Sequence, residues 1–164
     1  MRAAVDLQPD PSHVTQIFVD RPPPRTHDAA CADEVTAPSG GNVSIVIQQS
    51  LTGETTAAGT FAMTGAFSDQ GATTEALVFG GPLTQSPVPI TFRRTLTGRN
   101  GTIVVKGSAT LTFISPSTAK LSGTWEVESG TGVYATGRGT LTGDADFGAT
   151  PPSAHVTYVG ELRR

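Results

Sequence analysis

Residues 102–113 read TIVVKGSATLTF. Ile103, Val105, Gly107, Ala109, Leu111 and Phe113 occupy every second position, with Lys106, Ser108, Thr110 and Thr112 between them. Side chains on a strand point alternately to its two faces. The stretch therefore predicts a strand with one dry and one wet face. A helix would need apolar residues three and four apart over several turns, and no window of the chain supplies them.

The same parity extends outward. Phe61, Met63, Gly65 and Phe67 share one face, as do Leu121, Gly123, Trp125 and Val127, and then Val156, Tyr158, Gly160 and Leu162. Thr60, Thr64, Lys120, Ser122, Thr124 and Glu126 lie on the opposite faces. Runs of β-formers near 43–50, 55–67, 73–79, 88–96, 102–113, 119–128, 133–142 and 154–162 are separated by Gly-, Pro-, Asn- and Ser-rich breaks. Asn100-Gly101 is the strongest break, because the tightest hairpin turns need positive φ at both central residues. The expectation is an all-β fold: an eight-stranded antiparallel up-and-down β-barrel over residues 42–164. A closed sheet of that size holds packed side chains or one small ligand.

Residues 1–41 differ. They hold Pro9, Pro11, the run Pro22-Pro23-Pro24, His13 and His27, and read as an extended or disordered N-terminal arm. Leu-Thr-Gly recurs at Leu51, Leu96 and Leu141, both intervals being 45 residues, a spacing known from propeller blades. The intervening segments do not align, so the triplet reads as the way these hairpins close.

Composition excludes several classes of function. Only 15% of the 164 residues are charged and the net charge is -3, which leaves no basic footprint for nucleic acid. No apolar run is long enough to span a membrane. The single cysteine, Cys31, permits neither an internal disulfide nor a cysteine metal cluster. Its neighbours Asp28, Asp33 and Glu34 disfavour a thiolate. His155 stands apart from the other two histidines, so no metal site is expected, and no Gly-x-Ser-x-Gly nucleophile motif occurs. As written, the chain opens without the basic-then-apolar layout of a secretory leader; a cytoplasmic location is expected, or export if the N-terminus is incomplete.

Polar residues that share parity with the dry faces are informative, because burying an unpaired charge is costly. Glu75 is in register with Leu77 and Phe79, and Arg94 with Ile90, Phe92 and Leu96; Gln49 follows Ile45 and Ile47, and Tyr158 lies between Val156 and Gly160. Glu75, Arg94 and Tyr158 are the catalytic candidates. Arg94 would hold a carboxylate or enolate oxygen, and Glu75 or Tyr158 would exchange a proton. Gln49, Phe61, Met63, Phe92 and Trp125 are the candidate substrate-binding groups. On the competing reading Glu75 and Arg94 sit at strand ends in water, while Phe61, Phe67, Phe92, Ile103 and Leu111 fill the barrel. Arg93 precedes Arg94, so a one-residue slip would exchange which of them points inward.

Residues 130–143, GTGVYATGRGTLTG, hold five glycines. No Gly-Lys-[Ser/Thr] follows and no helix begins there, so this is not a phosphate loop. Gly130 and Gly132 read as a turn, and Gly137, Gly139 and Gly143 as relief in a coiled strand. The segment Gly130-Thr131-Gly132-Val133-Tyr134-Ala135-Thr136-Gly137-Arg138-Gly139 resembles the late hairpin of allene oxide cyclase-like and dirigent-like barrels. Gly59-Thr60-Phe61, Gly123-Thr124-Trp125 and the stretch TGRNGT at 97–102 are similar to bacterial members, the likeness covering about residues 43–147. The resemblance implies a barrel with an apolar lumen, a homodimer or homotrimer, and no metal or organic cofactor. It also implies cyclisation of an unsaturated fatty-acid epoxide, steering of radical coupling, or ring-forming cyclisation in bacterial natural-product biosynthesis. The matching glycines are structural, and no catalytic residue carries over by motif. The expected function is thus a cofactor-independent cyclase or isomerase acting on a hydrophobic small molecule. The alternative is a non-catalytic binding or structural barrel, exported if the N-terminus is incomplete.

Overall fold

The computed structural model describes residues Gly40–Arg164. The expected arm lies outside the described residues except for Gly40 and Gly41, which open the first strand; His13, His27 and Cys31 lie outside them too. Eight strands follow in order: β1 (Gly40–Leu51), β2 (Thr56–Gly65), β3 (Asp69–Phe79), β4 (Val88–Gly98), β5 (Thr102–Phe113), β6 (Thr118–Gly130), β7 (Thr136–Asp146) and β8 (Ser153–Arg163). Each pairs antiparallel with the next, and β8 pairs with β1 from Gly40↔Arg163 to Ser50↔Ser153, so the sheet is a closed up-and-down barrel. Closure removes both exposed edges. It also turns one face of every strand inward. Val43, Ile45 and Ile47 of β1, Phe61 and Met63 of β2, and Ile103 and Val105 of β5 are accordingly buried.

Along one interior row, glycines sit beside the large side chains. Phe92 pairs with Gly107, Gly107 with Trp125, Trp125 with Gly139, and Gly139 with Gly160. A Cβ on Gly107 would lie 2.5 Å from Phe92 Cζ. The glycine in β5 is what lets the Phe92 ring lie across that strand. Trp125 and Tyr158 stack with ring centroids 5.8 Å apart, and Phe92 lies 6.0 Å from Tyr158.

Connections 66–68, 99–101 and 131–135 close one end, and an unforeseen group organises it. Asp69, placed by sequence in a turn, opens β3 and points inward, 7% exposed. Its carboxylate accepts from the amides of Gln70 (2.8 Å), Arg99 (2.9 Å) and Asn100 (3.1 Å) and from the Tyr134 hydroxyl (2.7 Å). Burial by itself would raise the Asp69 pKa; the bonds from Tyr134, Arg99, Asn100 and Gln70 outweigh it and hold the carboxyl below its ordinary 3.8. The β4–β5 hairpin is therefore held by a neighbouring strand's carboxylate as well as by the bond from the Gly98 amide to the Gly101 carbonyl (3.0 Å), which centres the turn on Arg99-Asn100 and not on the expected Asn100-Gly101.

Tyr134 explains a second difference. The strand expected from 133 begins at Thr136, because residues 131–135 form a loop that swings the Tyr134 ring over the barrel end. There it packs edge-on against Phe67 at 5.7 Å. Gly132 makes this possible: its φ is +68°, and a Cβ there would lie 2.1 Å from the Asn100 carbonyl oxygen. The Leu-Thr-Gly reading is corrected in part as well. The first two triplets end β1 and β4, whereas Leu141, Thr142 and Gly143 lie in the middle of β7.

Asp69→Ala strands several donors and is expected to lower the unfolding free energy by about 3 kcal/mol, read by urea denaturation. Because the folded pKa of Asp69 is depressed, its contribution is fully present above 3.8 and is lost as pH falls through the folded value. Asp69→Asn should therefore show a shallower loss of stability on acidification than the wild type.

Candidate functional site

The other end carries connections 52–55, 80–87, 114–117 and 147–152, and among the described residues the interior is accessible here. A cavity reaches from this mouth to the middle of the barrel. It offers about 60 Å³ to the centre of a water molecule and about 610 Å³ measured to the surrounding atoms, the larger figure including solvent at the mouth. Leu77, Phe79, Ile90, Leu111, Leu141 and Val156 line its walls. That combination of apolar walls and a few polar groups is typical of small-molecule sites.

The polar groups are at mid-depth. Glu75 and Arg94 face each other directly across β3 and β4, 6% and 1% exposed. Arg94 Nη2 lies 2.5 Å from Glu75 Oε1, and Arg94 Nε donates to the same oxygen at 3.2 Å. Gln49 of β1 donates through Nε2 to Glu75 Oε2 at 2.6 Å. Gln49 and Glu75 are on strands separated by β2, whose intervening residues are Gly59, opposite Gln49, and Ala57, opposite Glu75. Those two small residues leave the side chains room to meet. The Arg94 guanidinium also lies over the Tyr158 ring, 5.2 Å from its centroid, a cation–π contact in a desolvated setting.

Register thus resolves the ambiguity between the two arginines. Arg93 points outward, its side chain 60% exposed, and pairs with Glu128 at 2.6 Å. A surface pair of that kind contributes at most about 1 kcal/mol. The irregularity in this part of the sheet falls in the β5–β6 ladder, between Val104 and Val105, and leaves the β4 register intact.

Of the residues expected at the site, Gln49, Glu75, Phe92, Arg94 and Tyr158 line the cavity together. Glu75 and Arg94 are buried within the barrel, not at strand ends open to water. Phe61 and Met63 are buried in the core cluster and are not on the cavity wall. Trp125 is also off the wall; it backs Tyr158 and donates from Nε1 to the Thr140 carbonyl at 3.1 Å. Leu121, on the dry face that parity predicts, lines the cavity as well, and so do Leu141, Ala145 and Ala154, which the sequence reading does not place on an inner face. Parity within their strands is the signal that would have found them.

Burial pushes the Tyr158 phenol well above its ordinary value; the Arg94 charge pulls against this and Glu75 adds to it. Tyr158 is therefore a neutral phenol near neutral pH. Comparison with protein-family models, curated proteins and solved structures gives no match. Chemically, the site can supply a cationic donor, a carboxylate and an oriented amide to a molecule held by apolar walls.

Removing one member of a buried pair leaves an uncompensated charge and costs about 3–5 kcal/mol, while replacing both with apolar groups is often nearly neutral. Arg94→Met and Glu75→Leu should each destabilise by that amount. The double variant should be far more stable than the sum of the two losses implies, measured by urea denaturation in a double-mutant cycle.

Proposed function

We propose that the barrel binds a hydrophobic small molecule through its open end and rearranges it without a cofactor, as a cyclase or isomerase. The observation that carries this reading is the buried Glu75–Arg94 pair, with Gln49, at the floor of an apolar cavity. In this reading Arg94 stabilises negative charge developing on a substrate oxygen. Glu75 takes a proton from one carbon and returns it to another, or simply tunes Arg94. The apolar walls hold a flexible chain in a reactive conformation, and orientation of this kind can lower a barrier by several kcal/mol. The resemblance of the Gly130–Gly139 segment to allene oxide cyclase-like and dirigent-like barrels supports the same class of chemistry, in natural-product biosynthesis or elsewhere, and a homodimer or homotrimer.

A second reading has its own observation. Both oxygens of Glu75 are already engaged by Arg94 and Gln49, the arrangement of a positioning group more than of a free base. This favours a barrel that binds its ligand without transforming it.

Incubation of the protein with apolar carbonyl compounds, followed by chromatography and mass spectrometry, separates the two. A rearranged product has the mass of its substrate, a new retention time and no need of added cofactor. Arg94→Gln and Glu75→Gln are expected to lower turnover at least about a hundredfold, as for lost electrostatic stabilisation of a transition state. Full turnover in both folded variants would remove the site assignment, and saturable binding without any product would favour the second reading.

A further inference from the structure

Two buried atoms beside Glu75 have no hydrogen-bond partner among the described residues: Arg94 Nη1 and Gln49 Oε1. Both side chains line the cavity. Arg94 commits Nε and Nη2 to Glu75, so Nη1 is a remaining donor. Gln49 turns its amide nitrogen toward Glu75 Oε2, which fixes the orientation of the amide and leaves its carbonyl oxygen as an acceptor. The reversed amide would set two acceptors against each other. Thr73 Oγ1, two residues deeper on β3, is a third unpartnered atom and can act as donor or acceptor. A buried donor or acceptor left unmet costs free energy, and a ligand that meets it recovers that cost.

Charge gives the second constraint. Glu75 and Arg94 neutralise each other, and among the described residues Tyr158 is the only other ionisable side chain on the cavity wall. A carboxylate or phosphate head would bring a net negative charge into this apolar setting without a counter-charge, which is strongly disfavoured. A neutral head with one acceptor and one donor leaves the site uncharged and meets both orphaned atoms.

Building on the cavity as a small-molecule site, we propose that its ligand is a neutral hydroxy-carbonyl compound with an apolar tail. Its carbonyl oxygen accepts from Arg94 Nη1, and its hydroxyl donates to Gln49 Oε1. The tail runs past Phe92, Ile90 and Leu77 toward the mouth. This narrows the role expected of Arg94 from the sequence, which admitted a carboxylate.

The test uses the full chain and the fluorescence of Trp125, its single tryptophan, which stacks on the cavity-lining Tyr158. Three compounds with the same apolar tail are titrated at about pH 8, where a fatty acid is ionised: an α-hydroxymethyl ketone, the methyl ketone lacking the hydroxyl, and the fatty carboxylate. The hydroxy ketone is expected to bind at least about tenfold more tightly than the carboxylate, and several-fold more tightly than the plain ketone. A carboxylate that binds as tightly as the hydroxy ketone overturns the head-group assignment and leaves the cavity reading standing. Failure of all three to bind removes the cavity reading, and the proposal with it. Glu75→Gln leaves Arg94 unbalanced and should reverse the order in favour of the carboxylate; an unchanged order in the folded variant overturns the charge argument. Gln49→Leu should bring the hydroxy ketone down to the level of the plain ketone, and a preserved gap would count against the Gln49 contact. The wild-type ranking decides by itself if Glu75→Gln does not fold.

Discussion

Glu75 and Arg94 meet across two neighbouring strands with both side chains withdrawn from water, and much of the barrel interior is arranged around that contact. The attraction between two charges rises as water is excluded, but so does the cost of having buried them. The balance improves where the geometry is close and more of the polar atoms find partners, although Arg94 Nη1 and Gln49 Oε1 have none among the described residues. Here Gln49 takes the second carboxylate oxygen, Tyr158 lies under the guanidinium, and Trp125 backs Tyr158. Ala57 and Gly59 on the intervening strand keep the path from Gln49 to Glu75 clear. A larger side chain at either position would part the amide from the carboxylate.

The two ends of the barrel solve opposite problems. At one end Asp69 collects three backbone amides and the Tyr134 hydroxyl, so that two connections and a strand start are tied to a single carboxylate. Phe67 and Tyr134 pack over it. At the other end longer connections leave the interior accessible, and the walls there are aliphatic and aromatic. Rigidity below and access above suit a site that must hold its polar groups in place before a ligand arrives, since groups already ordered need not be ordered on binding.

Strand number, strand direction and the inward set were legible in the sequence because a period of two survives any amount of twist and coil. Parity in 102–113 and its neighbours was enough to put Glu75, Arg94, Gln49 and Tyr158 on the inner face. Parity says nothing about depth. Phe61 and Met63 share the inner face with the cavity residues yet belong to packed core, because β2 runs from the open end toward the closed one and carries them away from the mouth. Asp69 and Tyr134 were not legible, since an Asp in a Ser-Asp-Gln-Gly break and a Tyr in a glycine-rich hairpin carry ordinary turn signals. Their meeting spans 65 residues.

By itself, the sequence determined that this chain forms an all-β sheet with one dry face, and that a few polar side chains lie on it. Alternation and turn chemistry are local, and local rules suffice for that. Closure of β8 on β1 decided the rest. It set which of Arg93 and Arg94 faces inward, brought Gln49 across a strand to Glu75, and, among the described residues, packed one end and left a cavity at the other. Those outcomes depend on register between strands far apart in the chain, where a shift of one residue would exchange inside for outside.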